Sequence, residues 1–189
     1  MSLIPAFEIG VWNGWIPVLY MIIGFILVPA LNKGAMESGQ DFIQLSKKEQ
    51  RIMTSYHIIL LVQCIYSIFL PLQLGTAWFY AGLVIILLGL ILYTPMVVGF
   101  ITTPIKNEPI TRGSFRFSRH PMYVSMALIF FGVGIACASW LMILLTIAYT
   151  VLALIHSITE ERGLLAQYGE RYQRYMEISP RWLGIPKSW

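Results

Sequence analysis

Two clusters of polar residues flank one long apolar stretch of this chain. The first is Arg119-His120-Pro121-Met122-Tyr123, and the second is Glu160-Glu161-Arg162. Between them, the one side chain that ionises near neutral pH is His156. If the apolar stretch turns back on itself within a membrane, both clusters meet at one membrane face. There they could bind a small polar molecule beside the lipid.

The first cluster has the composition of an anion site. Pro121 suits the first turn of a helix, where its missing N–H costs nothing. The N-terminus of such a helix exposes backbone donors and a partial positive charge, and Arg119 and His120 stand beside it. The alternative is an interfacial anchor, in which Arg119 reaches the headgroups and Tyr123 lies at their level. These five residues alone do not decide between the two.

The second cluster places two carboxylates at a helix–membrane boundary, which is costly unless they are solvated or paired. Glu160 and Glu161 could hold a cationic or hydroxyl-bearing ligand, pair with Arg119 or Arg162, or face water. His156 lies one turn before Glu160, so these two side chains share a helix face. His156 is therefore either a structural hydrogen-bonding residue or part of the same site.

The composition is that of an integral membrane protein. Hydrophobic residues make up 57% of the 189 residues, charged residues make up 12%, and the mean hydropathy is +0.70. The net charge of +4 comes from cations that punctuate apolar runs. This pattern favours anionic membrane lipid over nucleic acid as a partner. We expect a single membrane domain, residues 1–189, and a monomer.

Apolar runs of about 20 residues are long enough to cross a membrane as helices. Residues 12–31, 52–74 and 78–101 supply three spans, and residues 122–159 predict a helical hairpin that turns near residues 137–140. The chain is therefore predicted to be all-α, with five transmembrane helices. All 13 Lys and Arg residues then lie on one face, which the positive-inside rule assigns to the cytoplasm. The N-terminus is expected outside, and the C-terminus and both clusters in the cytoplasm.

Two further segments are polar and expected to be cytoplasmic. Residues 102–118 contain prolines and a glycine, which indicates an ordered connector. After residue 159 the last helix is predicted to continue into water until Pro180. Residues 1–101 are interpreted as a three-span scaffold and residues 102–189 as the cofactor-binding and catalytic part. The sequence contains no Walker A loop and no Cys/His metal spacing, so no metal site is expected.

An ordered series of motifs runs through residues 105–182. It consists of Pro109-Ile110-Thr111-Arg112-Gly113-Ser114-Phe115, the first polar cluster, Glu160-Glu161-x-x-Leu164, Tyr168-Gly169-x-x-Tyr172-x-x-Tyr175 and Pro180-Arg181. This series resembles the isoprenylcysteine carboxyl methyltransferase family, and the match is specific as an ordered combination. The size and the five spans are most similar to minimal prokaryotic members.

The resemblance implies an enzyme that moves a methyl group from S-adenosylmethionine to a lipophilic acceptor in the bilayer, such as a prenylcysteine-like carboxylate. It implies that the cofactor contacts Pro109, Ile110, Phe115, Arg119, His120, Pro121, Met122, Tyr123 and Glu160. His156 stands where eukaryotic relatives carry an arginine near the methyl acceptor, so it is the candidate catalytic residue. Methyl transfer to a carboxylate requires no proton removal, and positioning of the reactants can supply much of the acceleration.

Two other functions fit part of the pattern. The C-terminal part of membrane sterol reductases resembles the same motifs and uses NADPH, but those proteins are much longer. The other alternative is a non-catalytic lipid- or haem-associated membrane protein. Binding of S-adenosylhomocysteine, of NADPH or of neither separates the three.

Overall fold

The computed structural model describes residues 2–32, 43–103 and 108–187. Within these ranges the regular elements are α1 (Trp15–Leu31), α2 (Lys47–Ile68), α3 (Ala77–Thr102), a 3₁₀ helix (Gly113–Arg116), α4 (Pro121–Ala136), α5 (Trp140–Tyr168) and α6 (Glu170–Ile178). The prediction of an all-helical fold is confirmed for this part of the chain. Three helices, α2, α3 and α5, are long and apolar enough to cross a membrane, whereas α1 and α4 are shorter apolar helices.

The apolar helices alternate in direction. At one end of the bundle, the first turn of α2 meets the last turns of α5, where Glu49 accepts a hydrogen bond of 2.7 Å from Arg162. At the same end, Asn32 follows α1 and donates to the carbonyl of Phe100 near the end of α3, over 2.8 Å. The connector, the start of α4 and α6 also lie at this end. Because charged residues such as Glu49 and Arg162 lie there, we call it the charged end.

The opposite end is closed mainly by backbone hydrogen bonds. The Gln73 N–H donates to the carbonyl of Ala136 over 2.9 Å, and the Trp140 N–H donates to the carbonyl of Ser2 over 3.0 Å. The bonds of Gln73 and Ser2 tie the N-terminal segment and the α2–α3 loop to the turn between α4 and α5. Backbone groups at helix ends need such partners, because they have none within their own helix.

The predicted hairpin is formed by α4 and α5. Its turn occupies residues 137–139, where the chain was expected to reverse, and Ala138 has a φ of 52°. The side chain of Ser139 accepts a hydrogen bond from the Met142 N–H and caps α5. The turn therefore brings the start of α4 and the last turns of α5 to the charged end, as the sequence indicated.

Close packing of α3 against α4 depends on glycine. A Cβ atom at Gly82 would lie 2.5 Å from the carbonyl oxygen of Gly132, and a Cβ at Gly132 would lie 2.8 Å from that of Gly82. The backbones of the two helices therefore approach more closely than any larger side chain allows. Small residues in such positions are typical of helix interfaces in membranes.

The bounds of α2 differ from the prediction of residues 52–74. The helix begins earlier because Ser46 and Glu49 form a capping box, in which each side chain bonds to the other residue's backbone N–H. It ends at Ile68, shortly before Pro71, whose ring disfavours a helical conformation in the residue before it.

The prediction of one continuous helix from α5 to Pro180 is wrong. The chain breaks at Gly169, which has a φ of 55° and separates α5 from α6. Glycine adopts this conformation without the steric cost that a Cβ imposes, so it commonly ends helices. The break gives α6 its own direction, and its Tyr172 and Tyr175 side chains are buried at 2% and 4% exposure.

Candidate functional site

A cavity of about 570 Å³ lies toward the charged end of the bundle. Its wall includes residues from α1 to α6 and from the connector. Polar side chains line one part, and apolar side chains of α1 and α3, such as Phe25, Met96 and Phe100, line another. The volume falls within the range of about 300–1,000 Å³ that is typical of small-molecule sites.

Most of the predicted site residues meet at this cavity. Eight of the ten line it: Pro109, Ile110, Phe115, Arg119, Met122, Tyr123, His156 and Glu160. The other two, His120 and Pro121, belong to the turn that starts α4 and are absent from the cavity wall as described. Direct contact of those two residues with a ligand therefore stays a prediction, and the position of His120 suits a different role.

The connector is held in place from two sides. The Ser114 hydroxyl donates to the carbonyl of Leu92 on α3 over 2.6 Å, and the Tyr175 hydroxyl on α6 donates to the carbonyl of Phe115 over 2.7 Å. Residues 104–107 of the predicted connector lie outside the described residues, and within residues 108–118 the regular element is a 3₁₀ helix at residues 113–116 rather than a longer helix, as predicted. These bonds fix the Phe115 ring as part of the cavity wall.

Glu160 faces the cavity with one carboxylate oxygen engaged. Its Oε2 accepts a hydrogen bond of 2.7 Å from the Tyr123 hydroxyl and lies 3.4 Å from Nδ1 of His120. Its Oε1 has no partner among the described residues, and the side chain is 25% exposed. The carboxylate of this cavity-lining residue therefore keeps one acceptor atom that no described residue uses.

Glu161 lies on the other side of α5, in a group that we call the ion cluster: Arg119, His120, Glu161 and Arg181. Its carboxylate accepts hydrogen bonds from Arg119 Nε at 2.9 Å and from Arg181 Nη2 at 2.6 Å, and it lies 3.2 Å from His120 Nε2. The Glu161 side chain is only 4% exposed. Its negative charge is thus satisfied by protein cations from two separate segments.

Arg119 also closes the end of α6. Its Nη1 donates to the carbonyls of Met176 and Ser179 over 2.9 and 2.8 Å. The cations at the start of α4 are therefore largely taken by protein acceptors, which differs from the expectation that Arg119 and His120 stand ready for an anion. The reason is that Glu161 of the second polar cluster supplies their counter-charge, and its pair with Arg119 is one of the alternatives that the sequence left open.

The His120 ring lies between the two carboxylates and is 2% exposed. Burial opposes its protonation, but the interactions with Glu160 and Glu161 outweigh burial and raise the pKa of His120 above its usual value. The Tyr123 ring stacks on it at 5.5 Å and 14°, and the Trp182 ring contacts it at 5.6 Å. The cationic form of this histidine is thus the one that the protein stabilises.

His156 meets an aromatic group from α2. Its ring stacks on Tyr56 with centroids 5.4 Å apart and an interplanar angle of 24°. The Tyr56 hydroxyl bonds to the Tyr149 hydroxyl at 3.3 Å, and both Tyr56 and the neighbouring His57 line the cavity. Sequence reasoning assigned α2 to a scaffold and missed these residues. The signal available was an adjacent Tyr-His pair inside an apolar span.

Tyr172 contributes an unpaired hydroxyl to the site. In four other tyrosines that line the cavity, the hydroxyl has a hydrogen-bond partner: Tyr56, Tyr93, Tyr123 and Tyr175. Among the residues that the structure describes, the Tyr172 hydroxyl has none, although the side chain is 2% exposed and lines the cavity. A buried polar group without a partner costs about 1–3 kcal/mol. A bound ligand that offers a hydrogen bond here would remove that cost.

Comparison with known proteins identifies one family. A family model described as phospholipid methyltransferase matches residues 72–171, which is just over half of the chain. The matched segment runs from the loop before α3 to the first turn of α6 and contains all ten predicted site residues. A search of curated proteins finds no match.

Proposed function

The chain belongs to the phospholipid methyltransferase family, and from this premise we propose that it transfers a methyl group from S-adenosylmethionine to a lipophilic acceptor held in the bilayer. The observation that carries the proposal is Glu160, a cavity-lining residue of the matched segment whose carboxylate keeps one oxygen without a partner among the described residues. Methyltransferases of this family generally use S-adenosylmethionine. The family also includes proteins like isoprenylcysteine carboxyl methyltransferase, the narrower family that the motifs resemble.

The residues of the cavity fit the chemistry of S-adenosylmethionine, which carries a carboxylate, an ammonium, a sulfonium and ribose hydroxyls. Glu160 Oε1 can accept from the ammonium or from the hydroxyls. The Tyr172 hydroxyl, which has no partner in the described part of the chain, can donate to an oxygen or accept from a nitrogen. The wall of Pro109, Ile110, Phe115 and Met122 offers apolar contact to a flat base. When bound, the cofactor supplies the methyl group.

The proposed acceptor side is formed by His156 and α2. The stacked Tyr56 ring fixes the plane of the His156 imidazole, so that a ring nitrogen can meet the polar head of the acceptor. The apolar wall from α1 and α3 suits a lipid chain. A prenylcysteine-like carboxylate is the proposed acceptor. Because a carboxylate reacts without losing a proton, the task of these residues is orientation and the exclusion of water.

The proposed topology has five spans, with the N-terminus outside and the site in the cytoplasm. The described cations all belong to segments of the charged end: Lys47, Lys48, Arg51, Arg112, Arg116, Arg119, Arg162, Arg171, Arg174, Arg181 and Lys187. The positive-inside rule assigns that end to the cytoplasm. A thiol reagent that does not cross membranes should label Thr76→Cys in intact cells and Ser46→Cys only after permeabilisation. Labelling of Ser46→Cys in intact cells would contradict the proposed orientation and indicate the reverse one.

The function is tested by ligand binding and by methyl transfer. Calorimetry on the detergent-purified protein should show binding of S-adenosylhomocysteine and no binding of NADPH. With labelled S-adenosylmethionine, the label should appear in lipid-extractable products from membranes that contain the protein. NADPH binding would favour a reductase, and binding of neither nucleotide would favour a non-catalytic membrane protein.

A further inference from the structure

The two ring nitrogens of His120 face two different carboxylates. Nδ1 lies 3.4 Å from Glu160 Oε2, and Nε2 lies 3.2 Å from Glu161 Oε1. An ionised carboxylate can only accept hydrogen bonds, and a neutral imidazole carries a single N–H. Both contacts are therefore favourable at once only when both nitrogens of His120 are protonated.

The two carboxylates differ in what else they touch. Glu161 is absent from the wall of the cavity, and its other partners are Arg119 and Arg181. Glu160 lines the cavity and has Tyr123 and His120 on its Oε2. Since Oε2 is held from two directions, the direction of Oε1 is fixed as well. His120 is the side chain that contacts both carboxylates, so it links Glu161 to Glu160, whereas Arg119 links Glu161 to another part of the cavity wall.

We propose that His120 and Glu161 are positioning residues, which orient the carboxylate of the cavity-lining Glu160 through a doubly protonated imidazole held between the two glutamates. This inference rests on the proposed function, because it assigns Glu160 to the bound S-adenosyl ligand. It gives His120 a role that needs no contact with that ligand. It also connects the ligand site to the C-terminal segment, since Arg181 holds Glu161 from there.

In the part of the chain that the structure describes, several groups surround the charge of His120. Its own segment contributes Arg119 and Tyr123, and α5 contributes His156, Glu160 and Glu161. The C-terminal segment contributes Arg181 and Trp182. Tyr172 of α6 interacts with the two glutamates. The glutamates favour the imidazolium, and the arginines oppose it while they neutralise Glu161. Raising the pH removes a proton from His120 and releases one carboxylate, so ligand affinity should fall.

The experiment is calorimetric titration of S-adenosylhomocysteine into the full-length, detergent-purified protein across a range of pH. Glu161→Gln should weaken binding about tenfold near neutral pH. It should also move the alkaline midpoint of the affinity downward by about one pH unit or more, because the imidazolium loses a counter-charge. Arg181→Gln should move the midpoint upward, because a competing cation is removed. The ligand's own titration is the same in every variant.

Glu49→Gln is the matched control. It removes a carboxylate that pairs with Arg162 at 2.7 Å on another face of α5, without any contact to His120 or to the cavity. Its affinity and its midpoint should equal those of the wild type. If Glu161→Gln does not fold, the upward shift of the midpoint in Arg181→Gln still tests the positioning role. Arg181→Gln should fold, because the buried Glu161 keeps Arg119 and His120 as partners.

A ligand-independent measurement uses protein labelled with ¹⁵N-histidine. The chain has three histidines, so His57→Gln and His156→Gln assign the signals of His120. Near neutral pH both ring nitrogens of His120 should show the shifts of a protonated imidazole. A neutral His120, or unchanged pH midpoints in both ion-cluster variants, would overturn the positioning role. A wild-type protein that binds no S-adenosylhomocysteine would overturn the proposed function itself, whatever the state of His120.

Discussion

Glu160 and Glu161 are neighbours in the chain, yet they belong to two regions with opposite hydrogen-bonding states. The cavity around Glu160 keeps two polar atoms that have no partner within residues 2–32, 43–103 and 108–187, namely Glu160 Oε1 and the Tyr172 hydroxyl. The ion cluster around Glu161 surrounds its carboxylate with donors from two chain segments. Unused hydrogen-bonding capacity is what a ligand site requires, whereas saturated charges hold segments together. The difference predicts that the two regions respond to mutation in different measurements.

The largest effect on stability is expected at the ion cluster. Glu161→Ala leaves the buried Arg119 without its carboxylate partner and leaves His120 with Glu160 alone, and removing one partner of a buried pair typically costs about 3–5 kcal/mol. Thermal unfolding in detergent should show a lower free energy of unfolding by about 3 kcal/mol, because Arg181 is partly exposed and its share is screened. Glu170→Ala is the control, since its pair with Arg174 is exposed. Equal losses of stability in both variants would show that the ion cluster does not stabilise the fold more than an exposed ion pair does.

An intermediate effect on turnover is expected at His156. His156→Ala removes a hydrogen-bonding partner of the proposed acceptor and should lower methyl transfer to prenylcysteine substrates about tenfold. His156→Arg should restore transfer to carboxylate acceptors, because arginine is always charged and binds carboxylates with two hydrogen bonds. The affinity for S-adenosylhomocysteine should survive both changes. If both variants match the wild type on every acceptor, His156 is a packing residue and the acceptor binds elsewhere.

The smallest effect sharpens the comparison within α6. Tyr172→Phe removes a buried hydroxyl that has no partner among the described residues, so the ligand-free protein should keep or gain stability while the affinity for S-adenosylhomocysteine falls about fivefold. Tyr175→Phe removes a hydroxyl that donates to the Phe115 carbonyl, so it should lower stability by about 1 kcal/mol. Calorimetry measures the affinity of each variant, and thermal unfolding measures its stability. A stability loss in Tyr172→Phe with unchanged affinity would show that its hydroxyl has a structural partner.

The sequence predicted the parts of the fold that depend on composition and on local signals. The turn near residue 138 follows from the length of the apolar stretch, and the start of α4 follows from Pro121. The meeting of the two polar clusters follows from that hairpin, as Arg119 and Glu161 demonstrate. Such features depend on chain length and helix chemistry, which a single sequence contains.

The different roles of the residues at the site could not be predicted in the same way. Which of Glu160 and Glu161 faces the cavity depends on the rotation of α5 within the bundle, because adjacent helical residues point about 100° apart. The role of Tyr56 depends on packing between α2 and α5, which are distant in sequence. The break at Gly169 was missed because the tyrosine spacing on both sides of it continued a helical period.

The most direct test of the central claim is the affinity of Glu160→Gln for S-adenosylhomocysteine. Glutamine keeps the size of the side chain and can still accept from Tyr123, but it lacks the charge that the ligand's ammonium would meet. Calorimetry should show binding at least about tenfold weaker than that of the wild type, since hydrogen bonds to charged groups contribute about 1.5–3 kcal/mol. The melting temperature without ligand should stay close to the wild-type value. Binding at wild-type strength would contradict the assignment of Glu160 and of the cavity that it faces.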